Sequence, residues 1–203
     1  MGPAKRITRA AAYASSDDYR RIFHENMNSL YLLAFLLTAD HGGAEQCFVS
    51  GLEDAVGGNP VFREWAHSWA RRMIIQNAVR LINPRPADGS GRLKSASVDS
   101  DYEKIPAECQ VEISALLGLE PFERIVYVTT VFEHYSDHEC SLLLGCPRRD
   151  VFPARTRALE KIGHRVGMQD RQLSSTNAQD TGLHDGPGSL IELIDVLRFV
   201  TSA

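Results

Sequence analysis

Residues 134–163, HYSDHECSLLLGCPRRDVFPARTRALEKIG, decide the fold. Ser136 and Glu139 stand three apart, the spacing at which a hydroxyl and a carboxylate satisfy each other's backbone donors as a capping box. A helix opening there carries Leu142, Leu143 and Leu144 to Gly145, a residue suited to a left-handed stop. Cys146 is a small apolar plug for the turn, and Pro147 suits the first position of a following helix. In that second helix Val151, Ala154, Ala158 and Ile162 recur at helical spacing and can face a core. Arg149, Thr156 and Arg157 fall on the other side, flanked by Arg148 and Arg155. Two helices, a tight turn and a basic outer face form the layout of a helix-turn-helix, whose second helix can enter a major groove. The plainer reading is a helical hairpin with solvated arginines.

The surrounding chain narrows the setting. Its 203 residues allow one domain or two small ones, and 43% apolar content is enough to build cores. No apolar run is long enough to span a bilayer, and the basic N-terminus lacks the apolar stretch of a signal peptide, so the expectation is a cytoplasmic protein without a membrane partner. Cys47, Cys109, Cys140 and Cys146 are scattered, with no CxxC, which reads as reduced cysteines. The net charge of −4 argues against indiscriminate polyanion binding, but the charge is unevenly placed. Residues 60–94 hold seven basic and two acidic side chains, and residues 140–171 hold seven and three. Between them, residues 95–139 hold two basic and ten acidic ones, so two separate surfaces suit anions.

Taken in order, residues 1–16 are small, basic and patternless and read as disordered. A long apolar helix runs from Asp17 through Tyr19, Phe23, Leu30 and Phe35 to a stop near Asp40–Gly43. A second helix spans Ala44 to about Val56, with Cys47, Phe48 and Leu52 inward, and Gly57-Gly58-Asn59-Pro60 ends it. A third spans Phe62 to Ile82. Trp65, Trp69, Met73 and Ile74 form its apolar stripe, while Arg71, Arg72, Gln76, Asn77 and Arg80 fall largely outside it. Guanidinium groups hold phosphates, and amides and rings read or stack on bases, so this face suits nucleic acid; an ordinary amphipathic helix explains it equally well. Residues 83–106 are rich in Pro, Gly, Ser and charge and read as a linker. Beyond it, Ile125–Val131 is β-branched and compatible with a strand, yet Ile125, Val128, Val131 and Phe132 share a helical face, which favours a helix. The predicted fold is therefore all-α: a helical domain over 17–82, a linker over 83–106 and a helix-turn-helix domain over 107–168. A loose segment, 169–188, and a C-terminal amphipathic helix, 189–203, follow. In that last helix Leu190, Leu193, Ile194, Leu197 and Val200 share one side and call for a cover, expected on Phe122–Tyr135 or the back of Val151–Ile162.

With both blocks in view, the chain resembles bacterial RNA polymerase sigma factors of the small, two-domain, extracytoplasmic-function type. The first block carries the resemblance through Leu30-Tyr31-Leu32-Leu33-Ala34, Leu37-Thr38-Ala39-Asp40, Ala44-Glu45 and Trp65 followed by Ala70-Arg71. The second carries it through Leu119, Pro121, Glu123-Arg124, the Glu139…Leu144-Gly145 turn, Val151 and Arg157-Ala158-Leu159. Departures are Gln46 and Ser50 where the family usually has Asp and Gln, Arg72 and Gln76 in place of Asn and Asp, and Phe152 and Ala154 at commonly basic positions. Arg155 stands where an apolar residue is usual. The resemblance implies recruitment without catalysis: core RNA polymerase gripped through Ala44, Glu45, Gln46, Val49 and Glu53, and promoter DNA held through two surfaces. Trp65, Arg71, Arg72, Gln76, Asn77 and Arg80 would form one DNA surface and Arg148, Arg149, Thr156 and Arg157 the other. An anti-sigma factor is a further partner the family allows, and no cofactor is implied. The competing reading in the same class is a plain helix-turn-helix regulator, or a sigma-like adaptor that binds proteins only.

Two further features bear on chemistry. Pro153 would cost roughly 3 kcal/mol inside a helix and little in a first turn, so the second helix is expected to start late, capped by Asp150, or to bend. His134, His138, Cys140 and Cys146 lie close enough in sequence to suggest zinc, but Ser136 and Asp137 interrupt the helix that would align the histidines, and the cysteines suit core plugs better.

Overall fold

The computed structural model describes residues 12–86 and 107–176, which are helical apart from turns and short connections. Among the described residues there is no sheet, only an isolated antiparallel bridge between Tyr13 and Phe62, so Ile125–Val131 is not a strand. The helices are α1 (Ser16–Glu25), α2 (Met27–Thr38), α3 (His41–Gly57), α4 (Ala66–Ile82), α5 (Ala107–Leu117), α6 (Pro121–Tyr127), α7 (Asp137–Leu144) and α8 (Arg148–Thr176).

Residues 12–16, expected to be patternless, open the fold. Ala14 N–H donates to the Val61 carbonyl at 2.8 Å, the Tyr13 ring stacks on Phe62, and Ser15 and Asp18 form a capping box for α1. The single long helix expected from Asp17 to Leu36 is two helices. Asn26 breaks it: its side-chain amide and its backbone N–H both return to the Ile22 carbonyl, a local alternative to continuing the helix. Ala39 then takes a left-handed conformation at φ 55°, and Asp40 caps α3 by accepting from the Gly43 N–H at 2.6 Å. Capping at Asp40 starts α3 at His41, three residues earlier than its apolar spacing implied.

α2 is buried on nearly every side, through Leu30, Leu33, Ala34, Phe35, Leu36 and Leu37. α3 and α4 pack on it and on each other. A Cβ at Gly51 would lie 2.8 Å from Ile74 Cδ1, so glycine permits the close approach of those two helices. After α6 the chain makes one π-helical turn, Val128–Phe132. Thr129 Oγ1 bonds back to the Ile125 carbonyl at 2.7 Å and Thr130 Oγ1 to the Val126 carbonyl at 2.7 Å, the hydroxyl back-bonding that loosens a helix ladder. The expected helix through Tyr135 thus ends in a widened turn that swings Glu133 round toward α4.

Hydrophobic packing does not stop at residue 83. One cluster runs from Tyr19, Leu33 and Ile74 to Leu116, Ile125, Val128 and Ile162, joining helices from both sides of the expected linker. Most of that linker, and the C-terminal helix expected over 189–203, lie outside the described residues. A smaller cluster of Phe122, Val126, Cys140, Val151 and Ala154 sits beneath the α7–α8 turn. α8 begins at Arg148, so Pro153 stands in its second turn rather than its first, and the helix continues through residues 169–176, which were expected to be loose.

Candidate nucleic-acid interface

The α7–α8 unit is built as its sequence spacing implied. Ser136 Oγ accepts from the Glu139 N–H at 3.2 Å while Glu139 Oε2 accepts from the Ser136 N–H at 2.8 Å, and Gly145 closes α7 at φ 62°. Those bonds hold Glu139 ionised, pulling its carboxyl below the usual range. Val151, Ala154, Ala158 and Ile162 are buried on the inner side of α8. Arg148 and Arg149 stand exposed at its start.

The remaining polar candidates on α8 are engaged within the protein. Arg157 Nε donates to Glu123 Oε1 at 2.8 Å, and Lys161, one turn on, donates to Glu123 Oε2 at 2.6 Å. Glu123 is itself buried, so these two cations fasten α8 to α6. Thr156 Oγ1 donates to the Phe152 carbonyl at 3.1 Å, and Arg155 donates to Asp137 at 2.6 Å while lying over the Phe152 ring. The outer face therefore carries exposed Arg148 and Arg149 at its start, Arg149 lying 3.9 Å from the neighbouring Asp150 carboxylate, and an exposed Phe152 beside them.

α4 departs further from expectation. Arg72 is exposed and Gln76 is partly exposed, as its spacing implied. Asn77 is not: it is buried, donating from Nδ2 to the Met73 carbonyl at 2.9 Å and to Asp54 at 3.1 Å. Arg80 also joins Asp54, at 2.7 Å, so these two residues tie α4 to α3. Arg71 makes a two-pronged ion pair with Glu133, both side chains largely hidden from solvent. Helical spacing placed Arg71 and Asn77 outside the apolar stripe, but a helix with neighbours on two sides has little free face.

Trp65, in a short 3₁₀ turn before α4, is 57% exposed and meets Phe62 edge-on. Both line a cleft of about 580 Å³ with Trp69, Arg71, Arg72, Glu133 and Tyr135. Trp69 Nε1 is buried without an acceptor. The cleft places exposed rings beside a cation, the pairing on which a base stacks while its phosphate is held.

On α3, Glu45, Gln46, Val49 and Glu53 are exposed, while Ala44 is fully buried and packs inward, so it cannot touch a partner. Helical periodicity puts Ala44 one turn before Phe48, a residue already read as inward, and that was the available signal.

One residue that spacing could not single out ties the two halves. Buried Arg124 donates to the carbonyls of Leu37, Thr38, Leu117 and Leu119 at 3.0–3.2 Å, so the ends of α2 and α5 share one guanidinium. Burial pulls its pKa down to about 10, which leaves it charged at neutral pH.

Among the described residues no His, Cys, Asp and Glu side chains gather to hold a metal ion. Burial pushes the Cys47 and Cys140 thiols up to about 11, so both stay protonated, poor ligands and poor nucleophiles. No helix among the described residues is long and apolar enough to cross a membrane. No protein-family model matches the chain, and neither a curated protein nor a solved structure matches it.

Proposed function

We propose that the chain is a sigma-like transcription initiation factor of the extracytoplasmic-function type, which binds core RNA polymerase and directs it to promoter DNA through two helical regions in a cytoplasmic setting. The observation that carries this reading is the α7–α8 unit. A capped helix, a left-handed glycine and a second helix with a buried aliphatic inner side leave Arg148 and Arg149 exposed at its N-terminal end. In a helix-turn-helix that end of the second helix meets the bases and phosphates. The cleft with Trp65, Phe62 and Arg72 supports a second contact, to an unpaired strand. Glu45, Gln46, Val49 and Glu53 supply the exposed face of α3 for the polymerase.

One observation favours the adaptor reading. Arg71, Asn77, Arg80, Thr156 and Arg157, among the ten residues assigned to DNA, are engaged in internal hydrogen bonds or ion pairs. An adaptor needs no phosphate contacts. Co-purification of the intact chain with bacterial core polymerase, followed by promoter-specific transcription in vitro, separates the readings. A stable complex that initiates at defined promoters is expected. A complex that initiates nowhere makes the chain an adaptor, and DNA binding without polymerase makes it a plain regulator. An anti-sigma factor would be sought as a protein that prevents the complex. Arg148→Ala with Arg149→Ala should weaken DNA binding and lower its log–log salt slope by about two.

A further inference from the structure

The open end of α8 joins charge to one apolar ring. Val151 and Ala154 are buried, whereas Phe152 between them is 58% exposed. A ring left in water contributes little to stability. This one is nevertheless held in place. The Arg155 guanidinium lies over it, 5.6 Å from its centroid, and Asp137 of α7 fixes that guanidinium through a 2.6 Å bond. Thr156, one turn on, turns its hydroxyl back to the Phe152 carbonyl at 3.1 Å. The result is a supported, outward-facing apolar group about 4.5 Å along the helix from Arg149.

We infer that Phe152 is a specificity-determining residue, and that it reads the C5-methyl group of a thymine in the major groove entered by α8. The inference rests on the proposed function and names part of the sequence such a helix selects. Two physical reasons choose thymine. Each base pair shows a different edge in the major groove, and thymine alone offers a methyl group there. Phenylalanine has no donor or acceptor, so against the amino group of adenine or cytosine it would strip water and return no hydrogen bond. The surroundings choose DNA over an apolar partner. Arg148 and Arg149 stand exposed one turn before the ring, and this N-terminal part of the second helix is the one that meets base edges. Arginines on phosphates fix the register of the helix, and the ring then discriminates between sequences.

A random-sequence duplex library is selected on the intact chain, with bacterial core polymerase and without it. Thymines of the selected duplex are then replaced one at a time by deoxyuridine, which removes only the methyl group. One thymine is expected at which the replacement weakens binding about fourfold, which is about 0.8 kcal/mol. Phe152→Ala should bind the selected duplex more weakly, and the same replacement should then change nothing, the coupling of two groups in contact. Its log–log salt slope should equal that of the native chain, since a ring neutralises no phosphate. Three outcomes overturn the inference and leave the proposed function standing. They are a selected duplex indifferent to every methyl group, a methyl effect that survives in Phe152→Ala, and a salt slope lowered as in the Arg148→Ala, Arg149→Ala protein. The deoxyuridine scan is done first on the native chain, so misfolding of the variant cannot mimic an indifferent duplex. If neither selection enriches a sequence, promoter recognition fails and this inference falls with it.

Discussion

At the scale of single residues, Arg124 joins the ends of two helices. Its guanidinium serves four carbonyls, two at the end of α2 and two around the end of α5. A planar fork with several fixed donors can do this, and a point-charge ammonium cannot. Arg124→Met should cost about 3 kcal/mol or more, because buried acceptors lose their partner, and Arg124→Lys should recover only a part of that. Urea denaturation of the three proteins checks this. His67 is the second informative residue. Burial lowers its pKa first, Arg71 lowers it further, and Glu133 acts in the opposite direction. The unfolded chain therefore takes up the proton before the folded one does. Stability should fall as pH drops below about 6.5, the ordinary histidine value, and level off only below the depressed folded value. His67→Gln should flatten that part of the stability–pH curve. An unaltered curve would assign the dependence to another group.

At the scale of elements, capping and stopping residues decide more than apolar spacing does. Ser136, Glu139 and Gly145 bound α7 as their types require. Asn26 breaks a periodicity that would otherwise run on, and Asp40 starts α3 ahead of its first inward residue. Pro153 went the other way. α8 begins at Arg148 and tolerates it in the second turn, where the Arg149 carbonyl loses its usual partner. The helix continues because Val151, Ala154 and Ala158 on either side of Pro153 are buried in two clusters. Pro153→Ala should consequently stabilise the protein, by about 1–3 kcal/mol, read as a rise in the urea midpoint without a change in slope. Loss of stability would mean that the proline sets a bend the α7 contact needs.

At the scale of the whole molecule, the Arg71–Glu133 pair joins α4 to the π-helical turn, and little of either side chain is exposed. Breaking such a pair by removing one partner typically costs 3–5 kcal/mol, since a charge is left buried alone. Arg71→Ala and Glu133→Ala should each destabilise the fold, and the double variant should cost less than their sum, with a coupling of at least about 1 kcal/mol in a denaturation cycle. Additive costs would mean that the two residues act separately. On the proposed function the pair also holds Arg71 away from DNA. Glu133→Gln should then bind single-stranded promoter DNA more tightly than the native chain does, a measurement independent of the stability cycle.

The sequence by itself determined that the described chain is helical, where α7 stops and which side of α8 is buried. These follow from local rules: capping geometry within four residues, a glycine free to turn left-handed, and a period of 3.6. The exposed faces of α3 and α8 were legible in part for the same reason. Only the tertiary structure decided that Arg71, Asn77 and Arg157 are engaged internally, that Ala44 faces the core, and that Arg124 clasps the ends of α2 and α5. A charged side chain's partner depends on which helix lies across from it, and Glu133 is 62 residues from Arg71. Periodicity along one helix carries no information at that distance.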